Sequence, residues 1–299
     1  MFVALIKSLR PGQWVKNLFV LAPLVFSQHL TDPGPLLHAG LGMLLFCLIS
    51  GTVYLMNDVF DVEKDRAHPT KRFRPIAAGD LPVSAAVVAG AVLGLGSVAS
   101  SFVLDVRFGV VATTYLLLNA LYSWKLKHVV FLDVVTIALG FLLRTLAGAF
   151  AIDVVISEWL FACTFLLSLF LALGKRRHEV LQAGSRRGEQ RKVLERYNAG
   201  HLRVALMVVG ALTVVGYAAY TLRADLSLQS TPAEWGPFES EWLPVTIPFA
   251  VFGIARFFQL VDRADDPNSP TERMIRDLPF VINLGLWGVA ILVLIYGGV

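Results

Sequence analysis

The sequence predicts an all-α polytopic membrane protein, a single catalytic domain over residues 1–299 with about nine transmembrane helices, and three observations carry that expectation. Of its 299 residues, 56% are hydrophobic and only 16% charged. The mean hydropathy is +0.66, which excludes an ordinary water-soluble globule. The runs 36–56, 82–104 and 278–299 contain no Asp, Glu, Lys or Arg, and about 20 such residues cross a bilayer as a helix. These runs are continuously apolar, with no alternation, so they fit helices and not the strands of a closed barrel.

The expected spans, in chain order, are 13–27, 36–57, 82–104, 108–124, 129–152, 158–174, 202–222, 242–259 and 278–297. Residues 1–12 lack a small-residue cleavage signature, so the first span reads as retained and not as a signal peptide. It opens with Lys16 and Asn17, preceded by Arg10, cations that snorkelling to head groups would explain. The second span ends in an acidic stretch. The third carries Gly90 and Gly94, a small-xxx-small pair that reads as helix packing. The fifth carries Asp133 and Arg144, eleven residues or about three turns apart and so on one side of the helix. An Arg at that depth must face a cavity or a partner, and the reading favours a cavity. Cys47 and Cys163 lie inside apolar runs, which leaves no disulfide framework or zinc site.

Placing the N-terminus in the cytoplasm sorts the charges by side. The inner connections then hold 23 of the 26 Lys and Arg against 14 acids, a balance of +9. The outer connections hold Arg107 and Arg223 against eight acids, a balance of −6, with Arg144 intramembrane. This is the positive-inside bias. It accounts for the net charge of +4 without any nucleic-acid partner, and no basic groove interleaved with aromatics is present. Chemistry is expected on the cytoplasmic face of the cell's inner membrane, where the long polar connections 58–81 and 175–203 lie.

The first of these begins Tyr54-Leu-Met-Asn57-Asp58-Val-Phe-Asp61-Val-Glu63-Lys-Asp65 and continues to Lys71, Arg72, Arg74 and Pro75. On a continuing helix Asn57, Asp61 and Asp65 recur every four residues on one face, with Asp58 adjacent. Like charges so spaced repel unless a cation lies between them, and one or two carboxylates per ion are what Mg2+ takes beside substrate phosphates. Lys71, Arg72 and Arg74 supply donors for phosphate oxygens. Pro69 and Pro75 break the helix and let this arm fold back. The plainer alternative is a juxtamembrane helix whose charges pair with one another or with lipid head groups.

The segment NDVFDVEKD resembles the first aspartate-rich motif of the UbiA superfamily of intramembrane prenyltransferases. More narrowly, RPGQWVKN, YLMNDVFDVEKDRAHPTKRFRPIAAG, LKH at 126–128 and GKRRHE at 174–179 resemble its decaprenyl-phosphate phosphoribosyltransferase branch. The resemblance implies nine helices around a central cavity, with Mg2+ as cofactor. It implies a reaction moving 5-phosphoribose from phosphoribosyl pyrophosphate to a polyprenyl phosphate. Asn57, Asp58, Asp61 and Asp65 would be the metal ligands, with Asp58, Asp61 and Asp65 the residues essential to transfer. Lys16, Asn17, Lys71, Arg72, Arg74, Lys127, Arg144, Lys175, Arg176, Glu179 and Tyr197 would contact substrate, and the resemblance makes Arg10 a candidate beside them.

The sequence departs from typical prenyltransferases of the superfamily where a second DxxxD motif would follow the sixth helix. Here Glu179 is the one carboxylate within GKRRHE, and positive charge takes the place of a second acidic site, which suits an additional phosphate. For Arg177, Arg186 and Arg187 the alternative reading is positive-inside anchoring. The partners implied are phosphoribosyl pyrophosphate, a polyprenyl phosphate and the bilayer, with a homo-oligomer left open. Two rival functions are carried: transfer of a prenyl chain from its diphosphate to an aromatic or other small acceptor, and secondary transport of anionic solutes. The transporter expects charged or broken helices near the midplane, where only Arg144 is deep.

Overall fold

A computed structural model describes residues 1–155, 158–183, 192–222, 242–263 and 269–297. Arg186, Arg187 and the outer connection 223–241 lie outside the described residues. Among those described, every regular element is helical. Seven helical segments are long and apolar enough to cross a membrane: Pro33–Phe60, Val83–Leu104, Leu132–Ala151, Glu158–Ala183, Ala199–Thr221, Leu243–Asp262 and Leu278–Tyr296. The protein is an integral membrane protein.

The count of nine is not reached by that measure, for two physical reasons. The expected fourth span is a helix, Val106–Trp124, but Arg107, Thr113, Thr114 and Asn119 lower its apolarity. The expected first span is not an α-helix over most of its length. Residues Pro11–Leu21 form a 3-10 helix, followed by the short helix Ala22–Phe26. Side chains three apart eclipse in a 3-10 helix, and the burial pattern follows that period. Gly12, Val15 and Leu18 are exposed, while Asn17 and Val20 are buried.

The chain divides into two compact units. The first comprises residues 1–124 and 143–154. Its helices are α1 (Phe2–Ser8), α2 (Ala22–Phe26), α3 (Pro33–Phe60), α4 (Val62–Ala67), α5 (Pro75–Ala78), α6 (Val83–Leu104), α7 (Val106–Trp124) and the second half of α8 (Leu132–Ala151). Gly90 and Gly94 let α6 pack closely on α3: a β-carbon would meet Met56 Sδ at 2.9 Å from the first and Thr52 Cγ2 at 3.0 Å from the second. Phe46 of α3 meets the Phe108 ring edge-on at a centroid distance of 5.7 Å. Around the foot of α3, Ala4, Leu55, Ile76, Leu81 and Ala86 form a small core that anchors α1 and α5 beside the acidic stretch.

The second unit comprises residues 125–142 and 155–299. It holds the first half of α8, then α9 (Glu158–Ala183), α10 (Lys192–Glu195), α11 (Ala199–Thr221), α12 (Ile247–Asp262), α13 (Pro270–Arg276) and α14 (Leu278–Tyr296). Its core gathers Val134, Phe170, Leu173, Leu194, Leu206, Phe257 and Val261, with the Phe170 and Phe257 rings 5.2 Å apart. Asn198 caps α11 by accepting from Gly200 and His201 N–H, and Ser269 and Asp277 cap α13 and α14, as such side chains do at helix starts.

Candidate functional site

In the first unit, α3 ends at Phe60 and Asp61 interrupts the helix with φ −97° and ψ 9° before α4 begins. This corrects the expectation of one continuing helix. The hydrogen-bond ladder still bridges the break: Asp61 N–H donates to the Asn57 carbonyl at 2.9 Å and Asp65 N–H to the Asp61 carbonyl at 2.8 Å. Asp58 and Asp65, seven residues apart, therefore share the inward face, each with only 3% of its surface exposed. Asn57 is half-buried. Asp61 turns outward, its side chain 35% exposed and 3.9 Å from Lys64 Nζ. The acidic pair the structure brings together is thus Asp58 with Asp65, and not the Asn57, Asp61, Asp65 row.

Two buried carboxylates need cationic partners, and the arm folded back through Pro69 and Pro75 supplies one. Arg74 Nη1 donates to Asp65 Oδ2 at 2.6 Å and to Asp58 Oδ1 at 3.0 Å. The second cation is Arg10, whose Nη2 donates to the same Asp58 Oδ1 at 2.5 Å while the guanidinium lies 5.0 Å from the Tyr54 ring centroid. Lys71 and Arg72 are exposed on the arm, Arg72 stacked on Phe73 at 4.8 Å.

A second network in this unit joins Asn17 and Arg144. Arg144 Nε donates to Asn17 Oδ1 at 2.8 Å and Nη2 to the Tyr115 hydroxyl at 2.6 Å. The guanidinium also lies 4.6 Å from the Tyr115 ring centroid. Asn17 Nδ2 donates to Ser50 Oγ at 3.1 Å and Cys47 Sγ at 3.3 Å. In place of the open cavity face expected for Arg144, the structure encloses it at 5% exposure and satisfies its donors with an amide and a phenol, as a guanidinium removed from water requires. Lys16 is half-buried on the same 3-10 helix as Asn17.

The second unit holds its own polar cluster. Arg176 Nη2 lies 2.7 Å from Asp133 Oδ2, and Arg176 also pairs with Glu179. Tyr197 donates to Asp133 Oδ1 at 2.5 Å and accepts from Phe131 N–H at 2.8 Å. Burial, together with the Asp133 carboxylate beside it, raises the Tyr197 phenol above the ordinary tyrosine range. Arg176 is nearly inaccessible, so its charge is neutralised within the unit. Lys175, next to it, is exposed, and Lys127 is half-buried. Arg177 donates to Asp262 Oδ1 at 2.6 Å and to the Ala199 carbonyl at 2.7 Å. Asp133 and Arg144, expected on one side of the same helix, each join a separate network.

Tyr115 and Asp262 had no expected role, and Arg10 was a candidate for substrate contact only through the family resemblance. Neither Tyr115 nor Asp262 carries a local signal, because their partners lie 29 and 85 residues away. For Arg10, its place in RPGQWVKN was the available hint.

The acidic pair fits magnesium. Among the described residues no three His, Cys, Asp or Glu side chains are arranged to hold a metal, but magnesium asks for one or two carboxylates beside substrate phosphates. Asp58 Oδ2 and Asp65 Oδ1 accept no hydrogen bond among the described residues, so each carboxylate keeps a hard oxygen for a cation.

Residues 18–270 match the model of the UbiA prenyltransferase family. Two relatives are both named decaprenyl-phosphate phosphoribosyltransferase. That of Mycolicibacterium smegmatis is 36% identical, over 96% of this chain and 92% of its own. That of Corynebacterium glutamicum is 35% identical, over 98% and 86%. Among solved structures, a UbiA homolog from Archaeoglobus fulgidus bound to GPP and Mg2+ superimposes with a TM-score of 0.70 at 19% identity, covering 97% of this chain and 99% of that one.

Proposed function

The chain belongs to the UbiA prenyltransferase family, and we propose that it is a polyprenyl-phosphate phosphoribosyltransferase of the cell's inner membrane. In the reaction a phosphate oxygen of the lipid attacks the anomeric carbon of phosphoribosyl pyrophosphate. The bond from that carbon to the diphosphate breaks, and pyrophosphate leaves. The activity in the name of the relatives, which align over nearly the whole chain, supports this reading. The single geometric observation that carries it is the buried pair Asp58 and Asp65, each with one oxygen engaged by Arg74.

Asp58 and Asp65 would hold magnesium, with Asn57 beside them at the helix break; Asp61 would join them only on turning inward from Lys64. When bound, the metal neutralises charge developing on the departing diphosphate. Arg74 is placed to move between carboxylate and phosphate, offering a bidentate fork. Lys71 and Arg72 follow on the same arm as exposed donors. In the other unit, Lys175 is the exposed cation that would meet an anionic group, while Arg176, Glu179 and Tyr197 hold its stretch of helix in place around Asp133. The acceptor phosphate is already anionic at neutral pH, so positioning carries the rate and no strong base is needed. The charge asymmetry of the connections supports a cytoplasmic face for these groups.

The test is purified protein given radiolabelled phosphoribosyl pyrophosphate and a polyprenyl phosphate, with and without EDTA. A labelled lipid that forms only with free divalent cation is the expected result. Label entering lipid-soluble product only from a prenyl diphosphate and a phenolic acceptor would replace this reading with prenyl transfer.

A further inference from the structure

Arg10, a candidate for substrate contact through the family resemblance alone, makes the shortest contact to the acidic pair. Its Nη2 lies 2.5 Å from Asp58 Oδ1, the oxygen that Arg74 Nη1 approaches at 3.0 Å. It reaches there from a backbone with φ 52° and ψ 64°, a left-handed conformation unfavourable for a non-glycine residue and more so before a proline. Strain of this kind persists where surrounding contacts hold it and gathers at functional sites. The holding contacts are the Asp58 ion pair and the Tyr54 ring. The Arg10 side chain is 30% exposed and that of Asp58 only 3%, so the guanidinium has room to leave and the carboxylate does not.

Charge decides what can replace it. Two carboxylates and two guanidiniums sum to zero. A divalent cation entering alone adds two positive charges beside two others. A cation entering with a diphosphate brings an anion that the same guanidiniums attract.

We propose that Arg10 is a counter-charge gate: it makes divalent-cation binding at Asp58 and Asp65 tight only in the company of a diphosphate, and it passes from Asp58 Oδ1 to a phosphate oxygen as the two enter together. The gate rests on the assignment of Asp58 and Asp65 as metal ligands and adds an order to their loading. By linkage, the diphosphate and the metal strengthen each other's binding by the same factor.

The test uses the full chain in lipid nanodiscs and Mn2+, which takes the same hard oxygen ligands. Protein-bound ion is read as Mn2+ retained with the nanodiscs after rapid separation from free and pyrophosphate-complexed ion, with and without inorganic pyrophosphate and against protein-free controls. In the wild type, pyrophosphate is expected to tighten Mn2+ binding about tenfold or more. Arg10→Gln is expected to bind Mn2+ alone about tenfold tighter than wild type, with a smaller pyrophosphate enhancement. Arg10→Lys, which keeps the charge, is expected to stay near wild type. Mn2+ binding to R10Q that is unchanged or weaker, with full pyrophosphate enhancement, overturns the gate. Arg74→Gln removes the other guanidinium and is expected to move Mn2+ affinity in the same direction, which keeps the proposal falsifiable if R10Q does not fold. Wild-type Mn2+ uptake that Asp58→Asn leaves untouched overturns the ligand assignment itself, a result distinct from failure of the gate alone.

Discussion

Gly148→Ala isolates the closest main-chain approach in the first unit. A β-carbon at Gly148 would fall 1.9 Å from the Val20 carbonyl oxygen and 2.8 Å from its carbonyl carbon, where ordinary contact begins at 3.4 Å. The second half of α8 and the 3-10 helix would have to part by about 1.5 Å, the difference between those distances. Alanine in a helix interior gains about 1 kcal/mol over glycine. Overpacking costs about 1–3 kcal/mol, and the upper end applies because the obstructing atom is backbone and has no rotamer to escape into. The net loss is about 2 kcal/mol, which lowers the melting temperature by about 3 °C for a chain of 299 residues. The retreat also lengthens the 2.8 Å bond from Arg144 to Asn17, one 3-10 turn before Val20. Gly96→Ala on α6, where a β-carbon meets nothing within 4 Å, is the control and is expected to melt at or slightly above wild type. Tryptophan-fluorescence melts in one detergent compare the three proteins. A G148A protein as stable as wild type refutes the reasoning.

Asp58→Asn and Asp65→Asn should each cut phosphoribosyl transfer about 100-fold or more while the purified protein keeps a wild-type elution profile, as measured by labelled-lipid formation and size-exclusion chromatography. Tyr197→Phe removes the donor to Asp133 and the acceptor for Phe131 N–H, leaving the buried Asp133 carboxylate short of a partner at a cost of about 1–3 kcal/mol; a thermal melt reads it directly. The Arg256 guanidinium, bonded to Asp277 at 2.7 Å and 2.9 Å, holds the Asp277 carboxyl below the usual carboxylate range. Because the folded value is depressed, the pair stabilises the fold above the ordinary carboxylate pKa and the contribution is lost as pH falls through the folded value. Asp277→Asn, which keeps the helix cap, should therefore melt below wild type at pH 7, with the gap closing when both are measured at acidic pH.

The features legible in the sequence were those with a short period or a local motif. The charge-free runs marked α3, α6 and α14 to within a few residues, since a bilayer demands apolar length and little else. Gly90 and Gly94 declared a close helix contact, and the prolines at 69 and 75 declared the fold-back that brings Arg74 to Asp58 and Asp65. What escaped was set by distance along the chain. Arg10 meets Asp58 across 48 residues and Arg144 meets Asn17 across 127, and no periodicity reports such pairings. The break at Asp61 escaped because NDVFDVEKD has the spacing of an unbroken helix. The 3-10 segment escaped because its length alone resembles a short span, although its buried positions repeat every three residues.

That tighter winding changes reach. The 16 residues Pro11–Phe26 would rise only about 24 Å as an α-helix, short of a hydrocarbon slab about 30 Å thick. With 11 of them at about 2.0 Å per residue and the rest at about 1.5 Å, the same stretch extends close to 30 Å. Removing a single residue from it would sacrifice about 2 Å of height and swing everything beyond by a third of a turn, taking Asn17 or Val20 off the side of the rod that meets the rest of its unit.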